Sequence, residues 1–192
     1  MLTAAVRAIH DCCPGDFLTD VRTSCPDLWS NNPYITPLEE AAPDVHTIEC
    51  HYPLIHQSNQ RPYHFIHGFI EYLAEKLHAP IAPLRFKGDI HLSANERLMP
   101  DKFVSLNLIA APFWLIVAGG KFDFTTKWWA PDRYQSVVDH FQGRIRFVQV
   151  GEVGHHHPPL KGVVDLRGQT TLRELIRLVH HAQGVLCPVT LL

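Results

Sequence analysis

Residues 113–120 read FWLIVAGG, and they indicate the fold class more clearly than any other segment. Six consecutive apolar residues, Phe113 to Ala118, lack the alternation expected of a strand with one face in water. Such a run is typical of a parallel strand that helices cover on both faces. The pair Gly119-Gly120 then ends the strand in a turn, which is where ligand-binding loops begin in parallel sheets.

The segments that follow alternate between helix and strand patterns. Residues 131–141 are compatible with a helix, and residues 145–150 form a second buried strand. A short third strand is expected at 163–166 and a last one at 185–187. Between these two, Thr171-Leu-Arg-Glu174 has the spacing of a capping box, which predicts the start of a helix. Strands that alternate with helices predict a doubly wound parallel sheet.

The first half of the chain is harder to interpret. Apolar residues at helical spacing predict a helix over 2–13, which Pro14-Gly15 ends, and another over 64–77. Partial alternation of apolar and polar residues predicts short strands, which we place at 17–23, at 44–49 and near 89–92.

Composition limits the classes of function. The chain has 192 residues, of which 46% are hydrophobic, enough for a sizeable core. Seventeen Lys and Arg against 19 Asp and Glu give a net charge of −2, which argues against a nucleic-acid partner. No apolar run reaches the length of about 20 residues that a membrane span needs, so at most peripheral membrane association is expected. Arg7 and Asp11 argue against a signal peptide, and an odd count of five Cys favours the cytoplasm.

The connection after the first strand is the clearest candidate for chemistry, because about a dozen residues exceed the usual length of about 2–6. Its glycines permit close approach of a ligand, its lysines can neutralise phosphate and its threonines add hydroxyl donors. These candidate residues are Gly119, Gly120, Lys121, Thr125, Thr126 and Lys127. The spacing of a Walker loop is absent. The alternative is a solvent-exposed loop whose lysines bind nothing and whose tryptophans pack against the sheet.

The connection after the second strand, VGEVGHHHPP over 150–159, is the next candidate. Gly151 and Glu152 would touch a bound nucleotide, with Glu152 or His155 on ribose hydroxyls. A metal site would use His155 and His157, but adjacent His residues alone seldom complete one, so we expect no metal. The alternative is a polar loop that Pro158-Pro159 makes rigid. The motifs G-x-S-x-G and H-E-x-x-H are absent, which leaves hydrolases without support.

Three motifs in these segments resemble glycosyltransferase family 9, the ADP-heptose:lipopolysaccharide heptosyltransferases and their relatives. They follow successive strands and are Thr126-Lys127-Trp128-Trp129, Gly151-Glu152 and Gly168-Gln-Thr-Thr-Leu-Arg173. The resemblance spans most of the chain and is better from Trp114 onward. It implies an α/β protein of the GT-B type, with two Rossmann-like doubly wound domains, both incomplete. Residues 1–108 would form the acceptor-side domain without its first strand, and 109–192 the first half of the domain that binds the nucleotide-sugar.

The resemblance also implies roles for the candidate residues. Lys127 would contact the donor phosphates and stabilise the charge that grows on the diphosphate as the glycosidic bond breaks. Gly151 with Glu152 or His155 would lie at the ribose, and Thr170 near the base. The remaining donor-binding positions, near the phosphates, would be Gly119, Gly120, Lys121, Thr125 and Thr126. An ADP-heptose-like nucleotide-sugar would be the donor substrate, with no other cofactor, and transfer with inversion would go to a glycan, lipopolysaccharide-core or protein acceptor.

The sequence departs from the family pattern at both ends. The strand and Gly-Asp turn that carry the family's catalytic base should come just before Met1. The Asp-[ST]-Gly-x-x-His donor loop should start near Val189-Thr190, where Val189 replaces the Asp. We therefore expect little or no transferase activity from this chain alone. Two other interpretations are a non-catalytic nucleotide-sugar-binding or interaction module and, with less support, a His-rich metal-binding protein.

Overall fold

The computed structural model describes residues 1–52, 60, 62–83, 85–106, 108 and 111–188, and for Phe124 it describes the backbone only. The chain forms two compact units, Met1–His91 and Leu92–Leu192, which we call the N-terminal and C-terminal units. The predicted roles of 1–108 and 109–192 as acceptor-side and donor-side domains stay predictions. In the described part of the chain, every helix is too short or too polar to cross a membrane.

Two helices form the core of the N-terminal unit. Helix α1 spans Leu2–Cys12 and helix α2 spans Phe65–Leu77, which confirms both predicted helices. Small residues of α1 pack against larger apolar residues of α2, and the buried set is Ala4, Ala5, Ala8, Ile9, Ile66, Phe69, Ile70 and Leu73. The Nδ1 atom of His64 accepts a hydrogen bond from the Ile66 amide at 3.1 Å and so caps α2. A short 3-10 helix covers Pro26–Trp29.

The predicted strands at 17–23, 44–49 and 89–92 are wrong. The described residues of the N-terminal unit contain no strand, only an isolated bridge between Thr19 and Ile35. Polar side chains form hydrogen bonds with backbone groups that would otherwise pair with a neighbouring strand. The Asp89 amide, for example, donates to Oγ1 of Thr3 at 3.1 Å. A Rossmann-like sheet is therefore not seen in the described residues of this unit.

The C-terminal unit is built on a parallel sheet of four strands, as the sequence predicts. Strand β1 spans Phe113–Ile116, β2 Arg146–Gln149, β3 Val164–Asp165 and β4 Gly184–Leu186. Their order across the sheet is β3-β2-β1-β4, and every neighbouring pair is parallel. The small parallel sheet gives the unit a mixed α/β character that is compatible with a Rossmann-like fold.

In the described residues of this unit, three α-helices accompany the sheet. Helix α3 spans Asp101–Val104 and was not predicted, whereas α4, Pro131–His140, and α5, Leu172–His181, were. The predicted capping box is present: the Glu174 amide donates to Oγ1 of Thr171 at 3.2 Å, and the Thr171 amide donates to Oε2 of Glu174 at 2.8 Å. These two bonds satisfy amide groups that the first turn leaves free.

Successive apolar residues of β1 point to opposite faces of the sheet. Leu115 lies in the buried cluster that includes Phe103 of α3 and Leu178 of α5. Ile116 lies in the cluster on the other face, with Tyr134 and other residues of α4. Because both faces are covered, the strand is apolar throughout rather than alternating, which confirms the interpretation of the FWLIVA run.

Candidate functional site

The predicted site residues lie in loops that leave one edge of the sheet. Because the strands are parallel, the carboxyl ends of β1, β2 and β3 meet at this edge. Gly120 and His156 exchange two backbone hydrogen bonds, with N···O distances of 2.9 and 3.0 Å, which join the loops after β1 and β2. The Gly168 amide donates to the Gly151 carbonyl at 2.8 Å, which joins the loop after β3 to them. The structure thus brings the three predicted segments together.

The two glycines after β1 lie against the chain itself. Gly119 has φ +129°, and a Cβ atom built there would lie 1.9 Å from the carbonyl oxygen of His156. A Cβ atom on Gly120 would lie 2.9 Å from Nε1 of Trp128. The close approach that requires glycine at these positions is therefore made by His156 and Trp128. That these glycines also face a ligand stays a prediction.

The loop after β1 contains a 3-10 helix, Phe122–Lys127, which the sequence did not predict. Lys121 immediately precedes this helix, and Lys127 is its last residue. The Trp128 amide donates to the Thr125 carbonyl at 3.0 Å and closes the final turn. The predicted phosphate-binding side chains of this segment are all exposed: Lys121, Thr125, Thr126 and Lys127.

Three aromatic rings join the 3-10 helix to the loop after β2. The rings of Trp128 and His156 are stacked, with centroids 4.8 Å apart and an angle of 16° between their planes. The Phe122 ring lies 5.8 Å from each of them. We call these three residues the aromatic cluster. Phe122 is 64% exposed, so the cluster forms part of the surface beside the two lysines.

The loop after β2 is fixed from beneath by Gln149, which is fully buried. Its Nε2 atom donates to the Pro158 carbonyl at 2.7 Å, and its Oε1 atom accepts from the Leu160 amide at 2.9 Å. A side-chain amide can satisfy a carbonyl and an amide of one loop at once, because it carries both a donor and an acceptor. Gln149 was not predicted as a site residue. The sequence does mark it, because it is a polar residue inside a largely apolar strand.

Histidines of this loop lie in different environments. Nδ1 of His155 lies 3.4 Å from Oε2 of Glu152, so these two predicted ribose-binding residues are neighbours. His157 packs on Gly151, where a Cβ atom would lie 2.5 Å from the imidazole ring. Burial, followed by the nearby His155, lowers the pKa of His157 and favours its neutral form. In the described part of the chain, no group of three or more His, Cys, Asp and Glu side chains is placed to hold a metal ion.

Asp165 and Arg167 belong to the same edge but were not predicted. The guanidinium bonds the carboxylate in a fork, with Nε–Oδ1 at 2.8 Å and Nη2–Oδ2 at 2.6 Å. Arg167 also donates to the carbonyl of His157. The hydrogen bond from Arg167 lowers the pKa of Asp165. An acidic residue at a strand end, two residues before an arginine, was the signal in the sequence.

A small cavity of about 180 Å³ lies beside the end of β3. Its lining residues come from α3, from the turn after α3 and from the loop after β3: Lys102, Phe103, Leu106, Leu166 and Gln169. Thr170, the predicted base-proximal residue, follows this lining directly in the chain and is half-buried. The predicted position of the donor loop, Val189-Thr190, lies outside the described residues.

Comparison of the chain with protein-family models, with curated proteins and with solved structures finds no match in any of the three.

Proposed function

We propose that the edge of the C-terminal unit's sheet binds the diphosphate of a nucleotide-sugar, and that the chain is a glycosyltransferase of the heptosyltransferase type. The main support for the proposal is that three loops are joined at the carboxyl ends of parallel strands. Ligands of open α/β sheets bind at this edge. Here the edge presents exposed lysines at positions 121 and 127 and hydroxyl groups at 125 and 126.

The proposed chemistry is an inverting displacement at the anomeric carbon of the donor. The acceptor hydroxyl oxygen attacks this carbon, its proton passes to a base, and the sugar–phosphate C–O bond breaks with its electron pair on the diphosphate. The ammonium group of Lys127 stabilises the departing diphosphate, because negative charge grows there in the transition state. We assign no described residue as the base.

The remaining loops suit the nucleoside of the donor. Glu152 and His155 offer a carboxylate and an imidazole for ribose hydroxyls, whereas the His157 ring fills the space beside Gly151. Thr170 stands near the base in this proposal. The donor is an ADP-heptose-like nucleotide-sugar, and the acceptor a glycan, a lipopolysaccharide core or a protein.

One observation favours the second interpretation, a module that binds nucleotide-sugars or partners without catalysis. The spaces next to Gly119 and Gly120 are filled by His156 and Trp128, so this edge meets a ligand through exposed side chains rather than through a glycine cradle. Both interpretations require nucleotide binding at the same edge. They differ in whether sugar is transferred.

The test is a calorimetric titration of the full chain with AMP, ADP, ADP-glucose and UDP-glucose. The proposal expects binding of the diphosphates, weaker binding of AMP and preference for adenine over uracil. Binding raises the free energy of unfolding by RT ln(1 + [L]/Kd) and so raises the thermal midpoint, which gives an independent readout. If none of the diphosphates binds, the proposal is contradicted. Transfer of sugar to an added acceptor then separates the enzyme from the binding module.

A further inference from the structure

His156 lies where the loops after β1 and β2 meet, and it contacts the first of these loops in two ways. Its backbone exchanges hydrogen bonds with Gly120, and its ring stacks on Trp128. No role for His156 follows from the proposed chemistry, because that chemistry assigns the ribose to its neighbour His155. Its side chain is half-buried, between the loops rather than free in solvent.

The stacked ring acts on both ends of the segment that carries Lys127. At one end, Trp128 follows Lys127 directly, and its indole is the group that stacks on His156. At the other end, Phe122 begins the 3-10 helix, and its ring lies 5.8 Å from that of His156. The indole Nε1 also fills the space beside Gly120. One imidazole therefore contacts the first residue of the helix and the residue after its last.

We infer that His156 is a positioning residue that holds the 3-10 helix, and with it Lys127, in a fixed place before any ligand binds. The inference rests on the proposed function for the role of Lys127. The role needs a flat ring at position 156 and no proton transfer, since the imidazole meets Trp128 and Phe122 through ring contacts. A phenylalanine at 156 keeps such a ring and removes the titratable nitrogens.

The first arm of the test is amide hydrogen exchange on the ligand-free full chain, with variants H156A, H156F and the control H140A. His140 is an exposed histidine whose ring also contacts an aromatic neighbour, Phe141, at 4.8 Å, but away from these loops. We expect amides over 120–128 to exchange about 2- to 10-fold faster in H156A, a range set by the loss of one aromatic pair. H156F and H140A should exchange at the wild-type rate.

This arm needs no ligand and so decides the positioning by itself. Equal exchange in H156A and wild type overturns the inference, as does an H156F variant that exchanges as fast as H156A. A second variant, G120A, is independent of residue 156. Its Cβ would lie 2.9 Å from the indole Nε1, so it should displace Trp128 and raise exchange over the same segment.

The second arm measures ADP affinity. H156A should bind ADP more weakly by at most about tenfold, H156F should bind like wild type, and H156A should have no further effect once Lys127 is replaced by alanine. Wild-type affinity in H156A, beside a large loss in K127A, overturns the inference and leaves the proposed function standing. Failure of the wild-type chain to bind ADP overturns the proposed function, and the exchange data still decide whether His156 positions the helix.

Discussion

The two units hold extended backbone in different ways. In the C-terminal unit, strands bond to neighbouring strands: Leu115 pairs with Val148 on one side and with Val185 on the other. In the described residues of the N-terminal unit, polar side chains instead bond the extended backbone, above all the side chains of Arg7 and Asp20. Arg7 donates to two carbonyl groups and a carboxylate, and Asp20 accepts from two amides.

The two units should therefore be destabilised by different kinds of substitution. A ladder spreads its hydrogen bonds over many residues, and its stability comes from the apolar faces that the strands bury. Where one polar side chain binds several backbone groups, those hydrogen bonds all depend on a single residue. Its loss leaves buried donors and acceptors without partners. The N-terminal unit should therefore depend on single polar groups, and the C-terminal unit on apolar volume.

The largest effect is expected for Arg7→Met. The Arg7 side chain is 7% exposed and lies 3.0 Å from Oδ1 of Asp89, which is 13% exposed. Breaking such a buried pair from one side destabilises by about 3–5 kcal/mol. Amide exchange should rise across 1–91 and stay unchanged in the sheet. Arg22→Met is the control, because the Arg22 side chain is 66% exposed and such pairs contribute about 0–1 kcal/mol. Equal losses in the two variants would contradict the comparison.

A similar or somewhat smaller effect is expected for Leu115→Ala in the other unit. Leu115 is fully buried in the sheet, and truncation of a buried leucine costs about 2–5 kcal/mol. Urea unfolding measures the loss, and amide exchange should assign it to the sheet. Leu98→Ala, at a leucine that is 63% exposed in the same unit, is the matched control and should change little. A loss confined to the N-terminal unit would break the distinction between the units.

The ion pair between Glu96 and Arg173 in the C-terminal unit should stabilise the fold in a way that depends on pH. Arg173 donates to both carboxylate oxygens of Glu96 at 2.8 and 2.7 Å, and this bond lowers the pKa of Glu96 to about 2 from 4.5. The depressed pKa means that the stabilisation, at most about 3 kcal/mol, is complete above pH 4.5 and is lost as the pH falls towards 2.

Acid unfolding of Glu96→Gln tests this. The free energies of unfolding of wild type and variant should differ at pH 7 and converge towards pH 2. Glu71→Gln, on the exposed side of α2, serves as the control and should leave the pH profile unchanged. A constant difference between wild type and Glu96→Gln over the whole range would show that the carboxylate's charge is not the cause.

The smallest effect is expected at the start of α5. Thr171→Ala removes the hydroxyl that accepts from the Glu174 amide and should destabilise by about 1 kcal/mol. Thermal unfolding measures it against Thr170→Ala, the same substitution one residue earlier and outside the cap. A larger loss in Thr170→Ala would mean that the capping box does not set the helix start.

The sequence predicts the C-terminal unit well because its signals are local. The continuous apolar run at 113–118 and the capping box at Thr171 each specify one element without reference to the rest of the chain. The predicted strands of the N-terminal unit fail for the opposite reason. Alternation at 17–23 indicates extended backbone, but whether a strand or the Asp20 side chain bonds it depends on tertiary contacts. Helix α3, with only four residues, is too short to give a periodic signal.

In the candidate site, too, some features could be predicted from the sequence and others depend on tertiary contacts. Parallel strand ends predict that the loops at Gly120, Gly151 and Gly168 lie together, and the structure joins them by backbone bonds. The stack of His156 on Trp128 was beyond sequence reasoning, because it depends on how two loops cross. Sequence assigned Gly119 and Gly120 to a ligand, whereas the chain itself occupies the space beside them.

The most direct test of the central claim is the affinity of ADP for wild type, Lys127→Ala and Lys76→Ala. Lys76 is an exposed lysine of α2 and serves as the matched control. We expect Lys127→Ala to weaken binding by about 10- to 100-fold, the range of a charge-assisted hydrogen bond, and Lys76→Ala to bind like wild type. Equal affinity in all three proteins would contradict the central claim.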